Sequence, residues 1–318
     1  MTTSGTSDFN LTRNQIIRGA LRKLGVIATG ETPNQLIITE CAEALNAMVK
    51  RWDAKGIHIW TESQGIVFNQ PNQVQYIFGT GSPDHATESY EFTTLQDQAN
   101  SGASTITVVD ATGIADGYYI GVMTQANNTF WTRVSGTPVN NVITLAAPLD
   151  NLCNEGANVY AYQTPLLRPL RVPQARRYVF QSEITTPLIP LSRKDYFDLP
   201  NQENTGTVTQ WFYDPRGGAV PTGAMYLWPA PLDSFSAVTF TWYRQIQDFD
   251  NQSNTPDLPQ EWLDTIIFNL AVTLAPEFDC PPQRYAMIKE QALVYMDEVQ
   301  GWDREPESIY FGVNFEQR

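Results

Sequence analysis

The residues that could do chemistry are few and poorly placed for it. His58 and His85 are the only two histidines in the chain. His58 sits in the apolar run IHIWT, where a packed or hydrogen-bonded imidazole is expected, and His85 follows Asp84 in a polar loop and is expected to be solvated. Neither has a second histidine at ligand spacing. Cys41, Cys153 and Cys280 are far apart and form no CxxC pair. They read as reduced, packed thiols of a cytosolic product, with no disulfide framework and no zinc or other metal site. A GxSxG nucleophile turn, a P-loop and a strand-to-helix GxGxxG are all missing, so no catalytic group and no cofactor is implied.

Paired carboxylates remain, since glycoside hydrolysis needs only two. Glu88 and Glu91, Asp195 and Asp198, and Asp248 and Asp250 are candidates, but 34 acidic residues produce such pairs by chance. The expectation is that the chain is not an enzyme. The aromatic triplets WFY at 211–213 and TWY at 241–243 suggest a sugar-stacking face only if their rings share a side. On strands, alternate residues point oppositely, so each triplet should split between core and surface.

Arg176 and Arg177, with Arg168 and Arg171 upstream, form the densest basic cluster. They could meet a phosphate backbone, or equally well pair with acidic residues of a neighbouring subunit. The charge map bears on this. The formal charge is −14, and residues 61–165 carry 1 Lys/Arg against 9 Asp/Glu, residues 251–318 carry 4 against 12. Gripping DNA requires clustered cations, so tight nucleic-acid binding is not expected; an acidic wall past which a duplex slides fits better.

A chain of 318 residues with 42% hydrophobic content can bury a sizeable core in two or three domains. No run of about 18 apolar residues is present, so no membrane span is expected. MTTSGTSDFN has neither a basic n-region nor an apolar h-region, and so does not read as a secretory signal.

Helical periodicity opens and closes the chain. In LTRNQIIRGALRKLG, Thr12 is the predicted N-cap with Gln15 completing a capping box, Ile16, Ile17, Ala20, Leu21 and Leu24 form the apolar stripe, and Gly25 ends it. The second helix, TPNQLIITECAEALNAMVKRWDAKG, repeats the device with Thr32 as cap, Pro33 at the first position and Gln35 in the box. Near the C-terminus, DLPQEWLDTIIFNLAVTLAPEF has Asp257 as cap, Pro276 as stop and a stripe of Leu263, Ile266, Ile267, Leu270 and Leu274. Phe268 and Val272 interrupt its polar face. Either a segment of the same chain covers them or another subunit does. A fourth helix spans about 282–300 on Ile288, Ala292, Tyr295, Met296 and Val299.

Between the helix pairs the period becomes two. QGIVFN and VQYIFG are predicted strands joined around NQPN. Residues 86–164 are poor in Lys and Arg and hold short strands separated by hairpin dipeptides at Asp116-Gly117, Asn127-Asn128 and Asn140-Asn141, which suggests an inserted barrel or sandwich. Ser192 should cap a short helix, RKDYF. The fold class is therefore α+β. A bundle of two N-terminal and two C-terminal helices carries β extensions (1–85 and 165–302), a small all-β domain is inserted at 86–164, and an extension runs over 303–318.

Several of these segments resemble one protein family. TRNQIIRGALRKLGVIATGETPN, LNAMVKRWDAKGI, PLIPLSRKDYF, AMYLWPAP and LPQEWLDTIIFNLAVTLAPEF are similar to the head-to-tail adaptor proteins of short-tailed bacteriophages, which complete the head and stabilise packaged DNA. The resemblance covers about two-thirds of the chain and leaves 86–164 outside it. It implies a virion structural protein at the head–tail junction, made in the host cytoplasm. Copies would form a homo-oligomeric ring of about twelve beneath the portal protein. The ring would extend the channel, let double-stranded DNA pass without specific binding, and seat nozzle or tail-fibre proteins below. Family members grip the portal with a C-terminal extension, and here Trp302, Ile309, Tyr310, Phe311, Val313 and Phe315 make the tail too apolar for a free end. On this view Phe268, Val272, Arg176 and Arg177 face a neighbouring subunit. The alternatives are a tail-tube or nozzle ring, or a virion-associated glycan-binding or hydrolytic protein that uses the β domain.

Overall fold

The computed structural model of the protein describes residues 5, 8–55, 61–79, 81–82, 84–216 and 222–302. The fold is α+β, with helices α1 (Arg13–Leu24), α2 (Gln35–Lys55), α3 (Arg193–Phe197), α4 (Leu263–Leu274) and α5 (Pro282–Trp302) and several antiparallel sheets. The chain divides into two compact units, Met1–Thr61 with Gln245–Arg318, and Glu62–Arg244. Residues 62–85 and 165–244, read from the sequence as extensions of the helical core, fall in the second unit together with 86–164.

In the helical unit, α1, α2, α4 and α5 share one core. The predicted stripe of α1 is buried throughout, and so is that of α4. Trp52 of α2 meets Trp262 with ring centroids 5.6 Å apart. The capping box of α1 forms as expected: Gln15 N–H donates to Thr12 Oγ1 at 3.4 Å and Thr12 N–H to Gln15 Oε1 at 2.8 Å. Gly25 then ends the helix at φ +77°.

Two helix starts differ from expectation. α2 is capped by Asn34 rather than Thr32, because Asn34 Oδ1 accepts from Leu36 N–H at 3.2 Å and its carbonyl takes the first helical bond, from Ile38. Asn is as good a cap as Thr, and Pro33 then lies just outside the helix. Asp257 does not cap α4. Its carboxylate accepts from Gln247 N–H at 3.2 Å, and a 3-10 turn, Gln260–Trp262, leads into the helix.

The second unit contains β1 (Glu62–Phe68), β2 (Gln75–Phe78), β3 (Ala86–Thr87), β4 (Glu91–Thr94), β5 (Thr105–Thr107), β6 (Tyr119–Met123), β7 (Thr129–Arg133), β8 (Val142–Thr144) and β9 (Asn158–Tyr162). After these come β10 (Arg171–Val179), β11 (Ile184–Pro187), β12 (Ile189–Pro190), β13 (Thr205–Gly206), β14 (Gln210–Pro215), β15 (Gly223–Trp228), β16 (Ala230–Pro231) and β17 (Ser236–Tyr243). One sheet runs β11-β10-β17-β1-β3 and another β12-β14-β15-β2, with the short pair β13-β16. Both larger sheets contribute to a single core, including Val67, Phe78, Trp211, Met225, Phe240 and Trp242. The predicted strands β1 and β2 exist and are joined at Asn69–Asn72, yet they belong to different sheets, so the chain turns a corner there and makes no hairpin.

Residues 91–162 form a four-stranded sheet, β4-β9-β6-β7, and a two-stranded one, β5-β8, around their own core. Isolated bridges at Leu95–Val108 and Val134–Leu145 link the two. The barrel expected as one option does not close among the described residues, since ladders this short meet only at single bridges. The Asn140-Asn141 turn has φ of 51° and 62°, the doubly positive geometry of a tight hairpin. This stretch is not sealed off from the rest of its unit. Phe68 of β1 lies 4.9 Å from Tyr160 and 5.1 Å from Trp131, centroid to centroid, within a shared aromatic layer.

Candidate assembly surfaces

The helical unit carries a groove of about 750 Å³ between the end of α1, the middle of α4 and the first two-thirds of α5. Phe268, Ile288, Met287 and Tyr295 supply apolar surface, and Lys23 and Arg284 supply the cations. The rings of Phe268 and Tyr295 meet at 71° with centroids 5.2 Å apart, and Lys23 Nζ stands 4.5 Å from the Phe268 centroid. Arg284 Nη1 donates to Leu24 O at 2.8 Å, which satisfies a carbonyl at the negative end of the α1 dipole. Phe268 and Val272 are each half-buried against the helical core. Their place in the polar stripe of α4 is thus explained in part within the chain, because α5 packs over that stripe. Thr265, on the same face of α4, is buried there, and its hydroxyl lies 3.4 Å from Tyr295 O.

In the β unit Arg176 and Arg177 do not form one patch. Arg176 and Arg177 are consecutive on β10, so their side chains leave opposite faces of the sheet. Arg176 Nη2 donates to Gln174 Oε1 at 2.8 Å. Arg177 lines a cavity of about 180 Å³ with Val179, Thr207, Asp233 and Ser236, and its buried Nε has no hydrogen-bond partner. A register shift between Arg171 and Gln174 sets Arg171 opposite Tyr243 and Arg176 opposite Thr239, so these two share one face of the sheet and Arg177 takes the other.

His85 departs most from expectation. Instead of lying in solvent, its ring stacks on Trp131 at 3.9 Å and 9°, and Nδ1 is 2.7 Å from Tyr162 Oη. Burial pushes its pKa down to about 4. The cause is local: Ala86 and Thr87, which follow it, pair with β1 as strand β3 and draw the histidine into the aromatic layer. His58 lies outside the described residues. Phe212 also differs. Alternation predicts that WFY splits between core and surface, but Trp211 and Phe212 are both buried, Phe212 beside Tyr196, Phe197 and Tyr226. Helix α3, capped by Ser192 as expected, delivers that cover.

Cys41 and Cys153 are free, buried thiols, and burial pushes both up to about 11. All six candidate acid residues are exposed; Asp248 pairs with Lys50 at 2.9 Å and Asp195 shares a hydrogen bond with the Ser192 hydroxyl. Among the described residues no cluster of three or more His, Cys, Asp or Glu could hold a metal ion, and no helix is long and apolar enough to cross a membrane. Trp302 ends α5, and the rest of the predicted docking tail, Ile309 to Phe315, lies outside the described residues.

No family model and no curated protein matches the chain. Among solved structures, it aligns with the Gp54 tailspike of Acinetobacter baumannii bacteriophage AP22, in complex with A. baumannii capsular saccharide. The identity is 15% and the TM-score 0.21, over 25% of this chain and 16% of the tailspike. VP17, a capsid protein of bacteriophage P23-77, aligns at 9% identity and a TM-score of 0.12, over 60% of this chain and 76% of VP17. The chain thus spans about a sixth of the tailspike's length, and neither score establishes a shared fold.

Proposed function

We propose that the chain is a structural protein of a short-tailed bacteriophage particle, a head-to-tail adaptor that assembles as a ring below the portal. In this reading α1, α2, α4 and α5 form the bundle that stands beside its neighbours in the ring, and the C-terminal extension reaches the portal. The observation that carries the proposal is the helical unit's surface: a groove floored by Phe268, Met287 and Tyr295 and rimmed by Lys23 and Arg284, open on a chain of formal charge −14. Exposed apolar surface beside cations suits an acidic, partly apolar partner. The motifs shared with the adaptor family supply the direction, and the acidic balance suits a channel that DNA passes without sticking.

Size-exclusion chromatography of the purified chain with and without portal rings tests this. Co-elution with the portal is expected, and a monomer indifferent to portal rings contradicts it.

A second reading is favoured by one observation. A cavity of about 340 Å³ in the β unit is lined by Thr124, Gln125, Asn127, Asn154, Asn158 and Gln181. Amides and hydroxyls in that density suit a hydroxyl-rich ligand, as a glycan-binding virion protein requires. Calorimetric titration of the full chain with host surface polysaccharide separates the two; saturable binding would support the second.

A further inference from the structure

α5 is apolar on more sides than its own unit covers. Ile288 and Ala292 are buried in the helical core, and Tyr295, Met296 and Val299 are half-buried against it. At about 100° per residue, Met287 and Val294 fall roughly 120–145° to one side of the centre of this stripe, and Ala286 and Leu293 roughly 115–135° to the other. Met287 is 71% exposed, Leu293 63% and Val294 44%. A helix with apolar residues on both flanks of its buried stripe has two further surfaces to cover.

The charged side chains of α5 lie close to these flanks. Met287 borders the groove that holds Lys23 and Arg284. Leu293 has Glu290 one turn before it and Asp297 one turn after it, both on the back of the helix between the two flanks, and Lys289 on its other side; all three are exposed. Glu298 stands one turn beyond Val294, outside the groove lining.

We propose that the groove of one copy receives the Leu293 flank of α5 from a second copy. Leu293 enters against Phe268, Met287 and Tyr295, while Glu290 and Asp297 approach Lys23 and Arg284. The charged rim sets register and the apolar floor supplies the burial. Two different faces of the same helix meet, so the contact is head-to-tail, and repeated with the right rotation it closes a ring. The inference rests on the ring reading and names the contact within it.

Sedimentation velocity of the full-length chain, alone and with portal rings, tests it with two exposed-site variants, Leu293→Asp and Met287→Asp. Each has one damaged face and one intact face. Each alone should lose self-association at least tenfold relative to the unmodified chain, with unchanged circular dichroism. Mixed in equal amounts, they should form dimers and nothing larger, because only one intact pair of faces remains. Rings formed normally by both variants would overturn this contact while leaving the ring reading in place. So would dimers formed by one variant alone, which mean that like faces pair, or a photo-crosslinker at Met287 that captures only the same chain's residues 303–318. An unmodified chain that stays monomeric even with portal rings would overturn both.

Discussion

Phe268 of α4 meets Tyr295 of α5 at 71°, with 5.2 Å between ring centroids, so one aromatic pair ties the inner core to the open groove. Phe268 therefore serves two purposes that substitution can separate. Truncation by Phe268→Ala removes half-buried surface and an aromatic contact, and should lower unfolding stability by about 2–3 kcal/mol in urea titrations. Met287→Asp alters only an exposed position and should stay within about 0.5 kcal/mol of the unmodified chain. Equal losses in the two variants would mean that the groove wall is also part of the folding core.

The end of α1 should resist change. Gly25 has φ +77°, and a Cβ there would stand 1.7 Å from Arg284 Nη1. Gly25→Ala must displace the guanidinium from Leu24 O as well as strain the backbone. A loss of about 2 kcal/mol in thermal or denaturant unfolding is expected. A stability equal to that of the unmodified chain would show that Arg284 moves aside freely.

His85 gives the β unit a predictable acid response. Its pKa is about 4 in the folded chain against an ordinary 6.5. Between these values the unfolded chain holds the proton and the folded chain does not, so stability rises with pH across that window. The contribution is complete above about pH 6.5, falls as pH drops, and levels near pH 4, for a total of roughly 3 kcal/mol. Carboxylates also titrate at the lower end, so the comparison is with His85→Phe, which keeps a ring against Trp131 without the titration. Denaturant midpoints from pH 7.5 to 4.5 should fall less steeply for that variant; identical slopes would mean that His85 protonates without penalty.

What the sequence made legible follows from how local each signal is. Thr12, Gln15 and Gly25 fix α1 through bonds within a few residues, and Ser192 does the same for α3. The hairpin asparagines 127, 128, 140 and 141 likewise placed the β6–β7 and Val139–Val142 reversals. Errors arose where a tertiary partner decided the outcome. Asp257 is a good cap by composition, but it went to the Gln247 N–H, ten residues away along the chain. β1 and β2 looked like a hairpin because strand partners are not written in a strand; β17 and β15 took them instead. His85 is expected in solvent because nothing local announces Trp131, and the split expected of WFY fails because nothing local announces the Tyr196 cover over Phe212. For the candidate surface, the sequence flagged Phe268 as anomalous and joined Arg176 to Arg177. It could not show that α5 covers the first in part, or that a strand sends the other two to opposite faces.

The location of this chain in an assembled particle tests the account most directly. A particle reconstruction at modest resolution, compared with one from particles lacking the chain, should lose a ring of density directly beneath the portal, coaxial with the DNA channel. Density lost instead at peripheral fibres or spikes, or no loss at all, would contradict the adaptor reading.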